Sequence, residues 1–270
     1  MRRVVESARL ALLALVGYGR GLHTTPGRAL RPQKRVHRGK VMLITGITIH
    51  ESVSEHVEGA KGRDPEDILA ARNLSVHEVI QTPDDGASDV VVTAHVPVEL
   101  GAIHAGTYHN LHDVALELET RYRPADGDRA IARVGAPLTG TNDVLVGVWV
   151  WRPKGAKHRL YRVPPIAQLE ALWVRVGVHC AAQGIPREFP CVDPAKGFRW
   201  GRHAGHEAPG ITAHANWHHA DGLFPVCYCW LRRLGHAPVA AYRHAVAMGG
   251  SGQRWTPAPV VWAADAEGIG

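Results

Sequence analysis

The chain has 270 residues, 45% hydrophobic and 21% charged, a globular balance that excludes collagen-like repeats and disorder of the whole. Its formal charge of +6 is uneven: residues 1–40 hold ten Lys or Arg and one acid, Glu6, so the other 230 residues, with 21 basic and 24 acidic side chains, stand at −3. A body of that sign argues against nucleic-acid binding, which needs a basic surface.

Taken from the N-terminus, Arg2-Arg3 followed by the apolar stretch Leu10 to Gly17 outlines a weak signal-peptide pattern. Glu6 and Arg9 interrupt it and no A-x-A site follows, so a loosely ordered tail or a short amphipathic helix is expected. Residues 21–40 are rich in Arg, Pro and Gly without periodicity and complete a basic arm, 1–41, expected to be disordered. Met42 opens the structured part, and 42–50 is apolar and β-branched enough for a buried strand. Asp64-Pro65-Glu66 starts a helix running to Arg72. Residues 76–81 and 89–98 read as strands around a turn at 83–86, and 114–118 and 144–151 as further strands.

Ile166, Leu169, Leu172, Trp173, Val176 and Cys180 share one face of a helix over 166–183, closed by Gly184 and Pro186. Residues 210–214 read as a strand, 226–233 and 239–247 as helices, and 249–270 as a flexible tail. Strands and helices interleaved in an order not strictly βαβ predict an α/β fold class: a mixed central β-sheet flanked by helices, in a single domain over 42–248. No apolar run reaches the about 18 residues of a membrane span. Cys180, Cys191, Cys227 and Cys229 contain no C-x-x-C pair; Cys180 and Cys191 either pair or stay as core thiols. A cysteine peptidase built on Cys180 is disfavoured, because that residue lies on the apolar helix face.

Histidine is unusually abundant, 18 residues against 17 Phe, Trp and Tyr together. His50 ends the first strand and His214 closes the strand 210–214. Asp221 follows seven residues later, in a loop that also holds His218 and His219. Two imidazoles and a carboxylate suffice for a catalytic zinc, which keeps its fourth position for water. There is no H-E-x-x-H helix, and spacing alone does not separate ligands from packed or solvated histidines.

The order of segments adds to this. Gly46-Ile-Thr-Ile-His50-Glu-Ser resembles the first zinc-ligand strand of the type 2 N-acetylmuramoyl-L-alanine amidases, the family that includes phage lysozyme-type amidases and peptidoglycan recognition proteins. Ser75-Val-His77-Glu-Val-Ile80 and the strand 90–98 are similar to the family's next two segments. Ala102-Ile-His104-Ala-Gly106 looks like its histidine-containing turn, and Asn110 to Glu117 like the strand that ends in its glutamate. The helix leading to Pro186, the strand 210–214 and Asp221-Gly-Leu-Phe-Pro225 complete the series, which covers about residues 43–235.

The resemblance implies an amidase-like or peptidoglycan-recognition-like domain in which His50, His214 and Asp221 hold Zn²⁺. Glu117 would be the catalytic base and His219 a donor to the oxyanion. His104, Asn110 and Glu119 would contact substrate, with Glu119 sharing the face of Glu117. His77, among apolar neighbours on a strand, reads as a core histidine. The implied reaction is hydrolysis of the amide between N-acetylmuramic acid and L-alanine. The implied partner is bacterial peptidoglycan, reached at the cell wall by secretion or, as for an endolysin, by holin-dependent release.

A non-catalytic peptidoglycan-binding module of the same fold is the alternative. The complete ligand set with Glu117 favours the enzyme. Three departures stand out: Glu51 follows His50 where an aromatic or a second His is usual, the closing loop lacks the proline after Asp221, and 120–164 is an insertion.

Overall fold

In a computed structural model the described residues are 23–54, 65–81, 90–124, 148–151, 159–162, 164, 166–190, 192–193, 199–200, 208–214, 222–248 and 255–257. The first strands come from the stretch expected to be disordered: β1 (His23–Pro26), β2 (Pro32–Gln33), β3 (Val36–His37) and β4 (Lys40–Val41). The β-branched run then forms β5 (Gly46–Ser54). It is followed by α1 (Pro65–Ala71), β6 (Glu78–Gln81), β7 (Val91–Ala94) and β8 (Gly101–Ala102). A short helix that the sequence did not signal, α2 (Thr107–His112), leads into the long β9 (Asp113–Pro124). β10 (Val148–Trp151) and β11 (Arg159–Arg162) precede α3 (Ile166–Gln183). Next come β12 (Val192–Asp193), β13 (Arg199–Trp200) and β14 (Gly210–Ala213). The chain closes with α4 (Leu223–Arg233), α5 (Pro238–Met248) and β15 (Trp255–Pro257).

The fold is α/β, with a mixed sheet covered by helices. Its central part runs β1-β7-β6-β9-β5-β14. Strands β6, β9, β5 and β14 are parallel neighbours, and β7 turns antiparallel to β6. The far end of β9 pairs instead with β11, and the sheet continues through β10 to β15. So the described parts of the expected insertion extend the sheet. Trp255–Pro257, expected within a flexible tail, pairs with β10. The expected turn at 83–86 and the signal-like N-terminus lie outside the described residues.

Alternation along β5 and β9 separates two faces. Ile47, Ile49, Val114, Leu116 and Leu118 enter the larger core with Leu169, Leu172 and Val176 of α3 and Phe224, Tyr228 and Tyr242 of α4 and α5. Cys180 is a buried free thiol in this core, pushed up to about 11 chiefly by burial, which settles its alternatives toward a core role. The opposite face carries Thr48, His50, Asp113, Ala115 and Glu117. It is closed in part by a smaller core of Leu30, Leu69, Val76, Val79, Val96, Ala102 and Ala115.

Leu30 belongs to the stretch expected to be a disordered arm, and it is not alone there. Strand β1 adds to the sheet edge beside β7. Arg35 is buried, donating to the carbonyls of Val98, Leu111 and Asp113 at 3.1, 2.5 and 3.0 Å. Burial is the main reason its pKa falls to about 10, with Asp113 and Glu99 pulling the other way, so it stays charged at neutral pH. Residues 23–41 are therefore part of the folded body, contrary to the composition argument. A cation-rich stretch is solvated as a rule, but one cation that satisfies three buried carbonyls reverses the outcome for its neighbours.

Candidate functional site

Parallel registry is what assembles the site. His50 on β5 is the Cα partner of Glu117 on β9, and partners in a parallel pair project to the same face. Strand β14 lies on the other side of β5 with Ala213 opposite Ile49, so His214 follows beside His50. The three side chains form one row, His214–His50–Glu117, just past the end of β14 and midway along the paired stretch of β5 and β9. The His50 and His214 rings are tilted, with centroids 4.4 Å apart. All three residues are buried, so Glu117 is not an exposed strand carboxylate. Glu119, two residues on and on the same face, is partly exposed.

Below this row sits a buried polar layer that the sequence reading did not single out. The Thr48 hydroxyl donates to Asp113 Oδ2 at 2.5 Å, and His109 Nδ1 approaches the same oxygen at 2.8 Å. Gly46 leaves room for that carboxylate, since a Cβ there would press on Asp113 Oδ1. These groups brace the strands from which His50, His214 and Glu117 project.

His104 lies behind His50. Its Nδ1 is 2.9 Å from His50 Nε2 and its Nε2 is 3.2 Å from the carbonyl oxygen of His109. A carbonyl only accepts, so Nε2 of His104 carries the proton and Nδ1 is the acceptor. His50 then donates from Nε2, and a neutral ring in that tautomer would offer Nδ1 to a metal. Burial, aided by neighbouring His77, His214 and His109, holds His104 well below the ordinary histidine range, so the ring is neutral. Both ring nitrogens serve contacts inside the protein.

Asn110 has a similar internal role. Its side-chain oxygen accepts from the backbone N–H of His104 at 2.8 Å and of Ala105 at 2.9 Å, fixing the turn that presents His104. His77 behaves as a core histidine. Its Nδ1 accepts from Ala115 N–H at 2.9 Å and its Nε2 donates to Leu100 O at 2.9 Å. Burial pushes it down to about 3.

Asp221 and His219 lie outside the described residues. Gly222, the next residue after Asp221, is described. It has φ +77°, and a Cβ on it would collide with the carbonyl of Ile49 and stand 3.3 Å from the backbone nitrogen of His214. Only glycine tolerates both the left-handed conformation and that approach. Its N–H donates to Glu51 Oε2 at 2.8 Å. The only sequence signal for Glu51 was its unusual place directly after His50.

Among the described residues no three His, Cys, Asp or Glu side chains form a group that could hold a metal. They contribute two neighbouring imidazoles, His50 and His214. A zinc there needs a third protein donor, and Asp221, one residue from Gly222, is of the right chemical type.

No family model and no curated protein matches the chain. Among solved structures, the chain is similar to the Staphylococcus aureus hydrolase AmiA in complex with its ligand, with TM-score 0.41 and 10% identity over 83% of this chain and 80% of that one. It is also similar to the endolysin N-acetylmuramoyl-L-alanine amidase LysCS from Clostridium intestinale URNW, with TM-score 0.33 and 12% identity over 74% of this chain and 85% of that one.

Proposed function

We propose that the chain is a zinc-dependent peptidoglycan hydrolase that cleaves the amide between the lactyl group of N-acetylmuramic acid and L-alanine at the bacterial cell wall. The observation that carries this reading is the row His214–His50–Glu117, two imidazoles beside a buried carboxylate on one sheet face. His50, His214 and Asp221 would hold the zinc. When bound, the metal supplies Lewis acidity toward the amide carbonyl and lowers the pKa of water.

The chain's own groups do the rest. Glu117 takes the proton of the attacking water and returns it to the departing alanine nitrogen, so that water is added across the C–N bond. His219 donates to the oxyanion, and Glu119, farther along the face and partly exposed, contacts substrate. His104 and Asn110 act from behind, through His50 and the 104–105 turn. Action from the cell wall fits either secretion or endolysin-like release, and among the described residues no helix is long and apolar enough to cross a membrane.

Elemental analysis of the purified chain tests the metal assignment. About one zinc per chain is expected in the wild type and a loss of most of it in Asp221→Ala; full retention in the variant removes the ligand set.

A further inference from the structure

Strands β3 and β4 form a hairpin whose residues 36–41 are all exposed. Val36 pairs with Val41 and His37 with Lys40, and the Met42 N–H donates to the Arg35 carbonyl at 2.8 Å, adding one more rung. The turn residues Arg38 and Gly39 have φ of +50° and +79°, the left-handed pair that lets a two-residue turn follow the twist of its strands. Alternation then sorts the side chains. Arg35 and Met42 share the face turned to the body, where the carbonyls of Val98, Leu111 and Asp113 hold the guanidinium. Val36 and Val41 share the opposite face. Val36 is 45% exposed and Val41 75%, and Leu43, next in the alternation, is 74% exposed, with its carbonyl fixed by His112 Nδ1 at 2.9 Å. Single exposed apolar residues are ordinary, but these three lie together on one anchored element.

Charge along the hairpin is of one sign. No Asp or Glu occurs between Glu6 and Glu51. Lys34, Arg38 and Lys40 are exposed. Arg28, Arg175 and Arg232 pair with Asp67, Glu78 and Glu170, whereas those three cations have no ion pair among the described residues. Asp113 and Glu99, the acids that act on Arg35, belong to the body.

The combination selects a partner. A soluble polyanion needs the cations but offers nothing for Val41 and Leu43 to enter. A second copy would bring a like-charged hairpin against this one. A bilayer with anionic headgroups takes both: apolar side chains settle at the boundary of the acyl chains, and each nearby cation is drawn to the negative surface.

We propose that residues 34–43 dock the chain on anionic phospholipid bilayers, with Val36, Val41 and Leu43 entering the headgroup region and Lys34, Arg38 and Lys40 lying against its phosphates. This contact is independent of the zinc reading and requires no membrane-spanning segment.

The test is co-sedimentation of the full chain with phosphatidylcholine vesicles, with and without phosphatidylglycerol. It compares wild type with two double variants, Lys34→Gln/Lys40→Gln and Val41→Ser/Leu43→Ser. All four side chains are exposed, so both variants should keep the wild-type urea midpoint. Wild type should bind the phosphatidylglycerol vesicles, less tightly as salt rises, and bind the neutral ones at least about tenfold more weakly. The lysine pair should weaken binding to anionic vesicles by about 10- to 30-fold, the usual contribution of two such cations. The apolar pair should weaken it by about tenfold. Failure of wild type to bind anionic vesicles would overturn the proposal, as would wild-type affinity in both variants, which would place membrane contact elsewhere in the chain. Loss in the lysine pair alone would mark a site for polyanions instead. Self-association of wild type in sedimentation velocity, abolished in the apolar pair, would show that a second copy covers the face.

Discussion

His50 and His104 share one hydrogen bond, 2.9 Å from Nε2 to Nδ1, whose direction is dictated by a third residue, because the carbonyl of His109 on the far side of His104 can only accept. The chain of three groups therefore makes Nε2 the donor of His50, and a neutral His50 would offer Nδ1 to a metal. His104→Leu should weaken zinc binding about 10- to 100-fold, the range for losing a partner that orients a ligand. A competitive zinc titration reads this. If affinity is unchanged and only KM rises, His104 touches substrate instead.

Glu117 stands beside His50 in the parallel ladder and its neighbours Leu116 and Leu118 fill the opposite core, which fixes its direction. Glu117→Gln is expected to reduce amide hydrolysis by about 10²- to 10⁴-fold, the usual contribution of a positioned base, with metal content retained. The same change at Glu119 should cost less than about tenfold. Equal losses at the two positions would show that the row does not single out the base.

Arg35 joins the basic N-terminal stretch to the body through three backbone carbonyls. Removing its guanidinium leaves buried acceptors unsatisfied, so Arg35→Ala should lower unfolding stability by about 2–4 kcal/mol. Deletion of residues 1–41 should do at least as much, since it also removes Leu30 and β1. Urea denaturation checks both. An unchanged midpoint would return this stretch to the disordered arm that its composition suggests.

His77 is pushed down from 6.5 to about 3, mainly by burial. Between those values the unfolded chain binds a proton that the folded one does not. Its contribution to stability is therefore complete above about pH 6.5 and is lost as pH falls, on the order of 3 kcal/mol by about pH 4. Glu78 adds to the acid sensitivity at lower pH. Burial would raise its carboxyl, but hydrogen bonds from His179 and Arg175 bring it down to about 2 from 4.5. That contribution is present above about 4.5 and lost toward 2. Stability measured against pH should fall from about 6.5 downward, and His77→Gln should flatten the upper part of the fall. A flat profile between 6.5 and 4 would contradict the buried neutral assignment.

Residues with strong periodicity were readable in advance. Leu169, Leu172, Val176 and Cys180 do face the core from α3, and the strands bearing His50 and Glu117 lie beside each other. Polar residues that find buried partners were not readable. Gln168 and Glu170 look solvent-facing on a helical wheel, yet Gln168 donates to the carbonyls of Ile80 and Glu119, and Glu170 accepts from Tyr228 and Arg232. Arg35 and Glu51 escaped for the same reason: their partners are backbone groups far away in sequence, which no local pattern encodes. The short helix α2 has a polar, His-rich composition with no apolar stripe to announce it. Of the expected ligands, the positions of His50 and His214 follow from strand registry, whereas the approach of Gly222 depends on a left-handed turn packed against Ile49.

The central claim is tested most directly by product analysis on purified bacterial peptidoglycan. The wild-type, zinc-loaded chain should release free L-alanine amino termini together with muramic lactyl carboxyls and no new glycan reducing ends, and Glu117→Gln should not. Release of reducing ends alone, or of peptide termini at another bond, would contradict an amidase.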